Sequence, residues 1–352
     1  MKLRKETICI LEDLERRLDA DVEADVTAQW EDFLMDRFQG DIFTPCRRVC
    51  TQPGVELPNI HINDAQEDPD LMVRMQLAGA SRALADPKLI PCIRADYSSG
   101  IMSSLFGAEV FVMPREMNCL PTTRAFNDTE KMREILQKGM PSLTGGLGQK
   151  VFDFGEICAE AFEKYPKVKK YVYVYHPDTQ GPLDIAELMW GGEMFYAMYD
   201  EPELVHGVLD LISRTYTAFM EKWFAIWPGR QDINPHWGNM WHKGRIVLRD
   251  DSAMNLSPAL YAEYAAPCDS ALLEHFGGGA VHFCGRGDHY METLCACPWL
   301  TAINLSQPHL NDMETIYRNT VDKGIKLLMF DRTYAQKDME RPGGLGHCVH
   351  CL

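Results

Sequence analysis

Two clusters of soft donor groups stand out in the chain. Gly277-Gly278-Gly279-Ala280-Val281-His282-Phe283-Cys284-Gly285 reads as an apolar strand leaving a glycine turn and running into another glycine. Side chains on a strand alternate between faces, so His282 and Cys284 emerge on the same side. The chain closes on His347-Cys348-Val349-His350-Cys351-Leu352. An imidazole beside a thiol, with further thiols far away in sequence, is the residue pattern of a mononuclear zinc site. Two ligands do not make a site. On residue type alone the remaining donor could come from Cys348, His350 or Cys351, or from Cys295 and Cys297. Three protein ligands would leave a fourth position open for water or for a thiol, whose pKa the metal would lower. The H-x-E with P-C-x-x-C pattern of zinc deaminases is absent.

Other groups able to do chemistry follow apolar runs. They are Arg94, Asp96 and Tyr97; His176 and Asp178; Asp250 and Asp251; Asn304 and Gln307; Asp331 and Arg332. Of the adjacent carboxylates only one can point inward from extended backbone, and Asp251 is the expected one. Asp251, Tyr97 and His176 are the expected catalytic groups. Arg94, Asp178, Asn304 and Gln307 are expected to bind substrate, with Arg94 offering a fork for a carboxylate or phosphate. The aromatic stretch Ile233 to Trp241 suits a lid or a pocket wall.

The elements that must position these groups follow a βα rhythm. Candidate strands lie at 90–96, 109–113, 171–175, 245–248, 280–283, 301–305 and 326–330, with an eighth at 347–352. Helical patterns separate them. The rhythm predicts an α/β fold, a (β/α)8 TIM barrel with an N-terminal helical extension, in which every polar group above lies at the C-terminal mouth. Residues 1–87 form the extension, helical over 8–40 and irregular over 41–70, and residues 88–352 form the barrel. Neither GxGxxG after the first strand nor GxxxxGK[ST] occurs, so a dinucleotide fold and a P-loop lack support.

The bulk composition narrows the partners. With 352 residues and 46% hydrophobic content the chain can bury a large core. Its formal net charge of -16 argues against nucleic acid and anionic membrane surfaces. No signal-peptide core and no run of 18 apolar residues is present, which predicts a cytoplasmic protein. Twelve cysteines are too dilute for a disulfide-stapled module.

Four stretches carry a resemblance. Gly181-Pro182-Leu183-Asp184-Ile185-Ala186, the run from Asp250 to Pro258, Val281-His282-Phe283-Cys284-Gly285 and Asn304-Leu305-Ser306-Gln307-Pro308 resemble the uroporphyrinogen decarboxylase-like superfamily. That resemblance implies the same barrel with its N-terminal extension. It is nearer to the corrinoid-linked methyltransferase branch, whose members hold zinc with a His-x-Cys pair and a later Cys. It implies His282, Cys284 and Cys351 as ligands, with Cys348 as competitor. It also implies zinc that activates a thiol, and a corrinoid such as methylcobalamin as substrate or carried by a separate corrinoid protein. A small-molecule methyl donor or acceptor completes the set, and a homodimer is compatible with it. The decarboxylase stretch Arg-Gln-Ala-Gly-Arg-Tyr is missing. The region taken to correspond reads Ile93-Arg94-Ala95-Asp96-Tyr97-Ser98-Ser99-Gly100. One arginine beside an aspartate cannot neutralise a porphyrinogen with many carboxylates. A metal-free decarboxylase of a smaller carboxylate, and a non-catalytic ligand-binding barrel, are the competing expectations.

Overall fold

A computed structural model describes residues 2–352. It is a mixed α/β fold around a parallel sheet. In chain order the strands are β1 (Ile42–Phe43), β2 (Cys92–Ile93), β3 (Glu109–Phe111), β4 (Thr122–Arg124), β5 (Tyr173–Val174), β6 (Ile233–His236), β7 (Met240–Lys243), β8 (Ile246–Arg249), β9 (Gly279–Phe283), β10 (Leu300–Leu305), β11 (Lys326–Leu327) and β12 (Val349–His350). Six of them form one sheet in the order β1-β12-β11-β10-β9-β8, with every neighbouring pair parallel. A separate parallel pair joins β2 to β5.

Alternation along β9 decides which groups face the centre. Ala280 packs with Val247, Ala302 and Leu328 and with Trp30, Phe33 and Trp241. Val281 and Phe283 pack with the surrounding helices instead. His282 shares the face of Ala280. Register places Val247 and Ala302 beside Ala280, and Arg249 and Asn304 beside His282. Two rows therefore cross three strands: a small apolar row and, one layer further along, a polar row.

The small residues of the first row have a reason. The antiparallel hairpin β6–β7 sends Met240 and Trp241, both almost fully buried, against that row. Beneath them the helix Ala20–Leu34 presents Trp30 and Phe33. Phe33 stacks on Phe43 at 4.5 Å, and Trp30 meets the His350 ring edge-on at 4.6 Å. Bulkier residues than Ala280 and Ala302 would collide with this packing. The stretch expected as a lid is thus part of the interior.

Two expectations are corrected here. Residues 109–113 do not supply a strand to the parallel sheet, because β3 pairs antiparallel with β4 in a hairpin of its own. The sheet instead takes β1 from a segment read as irregular, and so draws on residues ahead of position 88. A complete ring of ladders is not formed among the described residues. Between β5 and β8 the link runs partly through a side chain: the Val247 N–H donates to His176 Nε2 at 2.9 Å, and the Gly181 N–H donates to the Arg249 carbonyl. Residues 347–352 do supply the terminal strand, β12. No helix among the described residues is long and apolar enough to cross a membrane.

Burial of imidazoles in this interior has a measurable consequence. Burial pushes His242 down to about 4. Its Nε2 has no hydrogen-bond partner. Unfolded, it would titrate near 6.5. The unfolded chain therefore binds the extra proton between those values, and the stability from neutral His242 is lost as pH falls from about 6.5 toward 4. Replacing His242 with Leu should reduce the acid loss of stability by about 1.4 kcal/mol per pH unit in that window. Urea unfolding of both proteins at stepped pH checks this, and parallel stability curves would refute it.

Candidate metal centre

Asp251 Oδ1, His282 Nε2 and Cys284 Sγ converge within 4.8 Å of one another. The imidazole and carboxylate are 3.6 Å apart, and the imidazole and sulfur 3.5 Å. Zinc bonds of 2.0–2.3 Å at tetrahedral angles separate two donors by about 3.3–3.6 Å. The donor types, N, O and S, also suit a borderline-soft divalent ion. The two separations from His282 therefore match zinc, and the donor types suit it.

Each donor is held by identifiable neighbours. The Asn304 amide donates from Nδ2 to the Leu328 carbonyl at 2.7 Å, which turns its Oδ1 toward His282. His282 Nδ1 lies 2.6 Å from that oxygen. An amide oxygen only accepts, so Nδ1 carries the proton and Nε2 presents its lone pair to the trio. Asp251 is aimed by backbone. Its own N–H and that of Ser252 donate to the Asp184 carboxylate at 3.0 and 2.8 Å. The Cys284 N–H then donates to Asp251 Oδ1 at 2.6 Å.

The adjacent Asp250, the last residue before a short 3-10 helix that opens at Asp251, turns the other way. It is 1% exposed and packs toward Asp269. Gly181 passes so close that a Cβ there would sit 2.1 Å from Asp250 Oδ1. Burial drives Asp250 well above the usual carboxylate range, with Asp269 adding to the rise.

Burial and neighbouring charge shift two of the three donors. Burial lowers His282, an effect the Asn304 hydrogen bond opposes. Burial raises the Cys284 thiol, and the Asp251 charge pushes in the same direction. A thiol beside a carboxylate is a poor thiolate on its own; a divalent ion reverses that balance.

Beyond the trio lies a charged wall. Asp178 accepts from Arg94 Nη1 at 3.2 Å and also from Arg249 and Gln180. Arg94 makes a second ion pair with Asp96 at 2.6 Å. The Arg249 guanidinium lies over the Trp237 ring, centroid 4.9 Å away, and Trp237 meets His282 edge-on at 5.0 Å. Trp237 sits at the β6–β7 turn with φ of +53°, a conformation uncommon for a bulky residue. The interior hairpin thus supports both the arginine and the ligand histidine. A cavity of about 350 Å³ opens beside Asp251, bounded by Ser99, Asp178, Gln180, Asp184, Glu187, Leu188, Arg249 and Ser252. A larger one, about 490 Å³, follows the edge of β5 and touches none of the trio.

Of the residues singled out by sequence, Asp251, His282 and Cys284 meet. Asp178 lines the cavity and Arg94 braces it. Asn304 stands behind His282 and does not face the cavity. Gln307 accepts from the Gly285 N–H and so fixes the turn after Cys284.

Cys351 does not reach the trio. It packs in the layer between sheet and helices near Tyr317, because His350 takes the inward position on β12. Cys348 contacts the Gly346 carbonyl and Lys326, Cys297 contacts Ser270, and Cys295 is buried in the helix layer; none joins the pair. His176 and Tyr97, expected as catalytic groups, are both engaged elsewhere. Both His176 nitrogens are engaged by backbone, at the Pro177 carbonyl and the Val247 N–H. Tyr97 is 1% exposed within the apolar core. Sequence reasoning gave no role to Arg249, Asp184 or Glu187, whereas Trp237 falls in the stretch expected as a lid or pocket wall. Arg249 had a signal, since it follows Val247 by two on an apolar strand.

No protein-family model matches the chain. No curated protein sequence matches it either. Among solved structures it is similar to a methyltransferase from Methanosarcina mazei, with a TM-score of 0.63 at 14% identity over 93% of this chain and 92% of that one. At that identity the likeness establishes a shared fold.

Removing the Asn304 amide should cost metal affinity while leaving all three ligands in place. Asn304→Ala is expected to weaken zinc binding by about 10- to 100-fold. Competition with a chromogenic chelator reads this, and unchanged affinity would show that the His282 tautomer is set elsewhere.

Proposed function

We propose that the protein is a zinc-dependent methyltransferase that moves a methyl group between a corrinoid, free or carried on a separate protein, and a thiol or other small acceptor. The observation that carries this reading is the convergence of Asp251, His282 and Cys284 within 4.8 Å of one another, with His282 3.5–3.6 Å from each of the other two donors. The shared fold with a protein described as a methyltransferase supports it. In the same reading, the six-stranded sheet and the β2–β5 pair are the staves of a (β/α)8 barrel opened between β5 and β8 and between β1 and β2. The trio then lies at the C-terminal mouth, where such barrels place their chemistry.

Zinc at this position would hold an incoming thiol as a thiolate at neutral pH. The chain's own residues do the rest. His282 offers Nε2 because Asn304 holds its proton on Nδ1. Asp251 keeps its carboxylate at the trio because Asp184 and the Cys284 N–H fix it from two sides. Arg249, clamped by Asp178 and Trp237, forms a rigid wall that keeps the acceptor from drifting away from the trio. The cavity of about 350 Å³ has room for a small acceptor.

The metal-free decarboxylase reading has less support. It would rest on Arg94, Tyr97 and Asp251, of which Tyr97 is enclosed in the core and Arg94 is engaged with Asp96 and Asp178.

Purified protein should contain one zinc per chain and should demethylate methylcobalamin when a small thiol is supplied. Cys284→Ser and Asp251→Ala should each lose the metal and the activity, whereas Cys351→Ser should keep both. Metal analysis and the visible spectrum of the corrinoid check this. Full turnover by chelator-stripped protein would contradict it.

A further inference from the structure

The larger cavity, about 490 Å³, lies apart from the trio, and no residue lines both it and the cavity beside Asp251. Its volume falls within the range of small-molecule sites. β5 pairs only with β2, so its other edge lies open along this cavity. Aromatic side chains from two elements line it. Tyr171, Tyr173 and Tyr175 come from the run through β5, and Phe224 and Trp227 from the end of the helix Pro202–Ile226. Two of these rings are pinned. The Tyr173 hydroxyl is 3.2 Å from the Thr27 hydroxyl on the helix Ala20–Leu34, and Trp227 Nε1–H donates to the Gly155 carbonyl at 2.9 Å. The wall is therefore set before any ligand arrives.

The charge of this cavity runs against that of the chain. Acids outnumber bases 51 to 35 overall. The cavity is lined by Lys169, Lys170, Arg230 and Arg245 against Glu31 alone. Arg230 is engaged with Glu31 and Asp232, and Lys169 with Glu163. Lys170 and Arg245 have no carboxylate partner among the described residues. Each is held instead against an aromatic lining residue. Lys170 lies over Tyr171, 4.9 Å from the ring centroid, and Arg245 lies over Phe224 at 3.9 Å. Arg245 donates from Nη2 to the Pro228 carbonyl at 2.9 Å, while its Nε is buried with no acceptor. Burial lowers Arg245, and no carboxylate opposes the fall.

We propose that this cavity binds a small aromatic carboxylate, with its ring against the tyrosine, Phe224 and Trp227 wall and its charge at Arg245, while Lys170 at the rim draws it in. The guanidinium fork suits a carboxylate, and partial burial leaves less water to screen the pair. A neutral ring would leave Arg245 without its acceptor. A cationic ring would meet two unpaired like charges. The inference does not depend on a metal at the trio.

Three naphthalenes test this on the full-length protein by calorimetry: 2-naphthoate, 2-naphthamide and 2-naphthylmethylammonium. Affinity should fall in that order, with about 10-fold or more between the ends, and the spread should narrow as salt rises. Decalin-2-carboxylate, the saturated counterpart, should bind more weakly than 2-naphthoate. Arg245→Gln should bring 2-naphthoate down to the level of 2-naphthamide. Lys170→Gln, at an exposed position, should cost a smaller factor that disappears at high salt. Ala28→Trp, at an exposed lining position, should abolish binding of all three.

Zinc-loaded and chelator-stripped protein should bind 2-naphthoate equally. Affinity that vanishes with zinc would put the acid at the trio and overturn the proposal. So would no binding of 2-naphthoate at millimolar concentration, equal or tighter binding of the amide, the ammonium or the saturated acid, or affinity untouched by Ala28→Trp.

Discussion

The hydrogen bond between His282 Nδ1 and Asn304 Oδ1, 2.6 Å long, is the constraint on which the rest of the site depends. It exists because β9 and β10 are in parallel register with these two residues side by side. Its direction is set one strand further on, where the Leu328 carbonyl takes the amide's N–H. Three consecutive strands thereby decide which imidazole nitrogen is free. With the opposite tautomer Nε2 would carry a proton, and the trio would have lost its nitrogen donor.

Packing beneath this row makes it rigid. Ala280 and Ala302 are small, and the space they leave is filled by Met240 and Trp241 from the interior hairpin. The same hairpin delivers Trp237 against His282 and under Arg249. Structural and functional roles are therefore hard to separate here. The turn that plugs the interior is also the support of the ligand histidine. The Asp250–Asp251 pair shows the same economy, since one carboxyl faces the trio and its neighbour is buried toward Asp269.

Much of this was legible in the sequence, and the limits have physical causes. Period-2 alternation placed His282 and Cys284 on one face, because that inference needs only local backbone geometry; the preference for Asp251 over Asp250 had no such basis, since Asp251 opens a 3-10 helix. The parallel strands from β8 to β12 were recognisable as apolar runs. What failed depended on contacts that sequence does not display. Cys351 was assigned to the site, but on a strand a single-residue change of phase moves a side chain to the other face. His350 faces inward, so Cys351 faces the helices. His176 looked like a mouth residue, yet its ring stands in for a missing ladder bond between β5 and β8. Residues 109–113 and Ile42–Phe43 exchanged roles because short strands are defined by their partners more than by their composition.

The account's central claim is that one cysteine, one histidine and one aspartate hold the metal. X-ray absorption at the zinc edge of the purified protein tests it most directly. The predicted spectrum has a single sulfur near 2.3 Å and the remaining scatterers nitrogen or oxygen near 2.0–2.1 Å. Two or more sulfur scatterers in the absence of added thiol would contradict it, since a second cysteine would then be bound where the structure places Asp251.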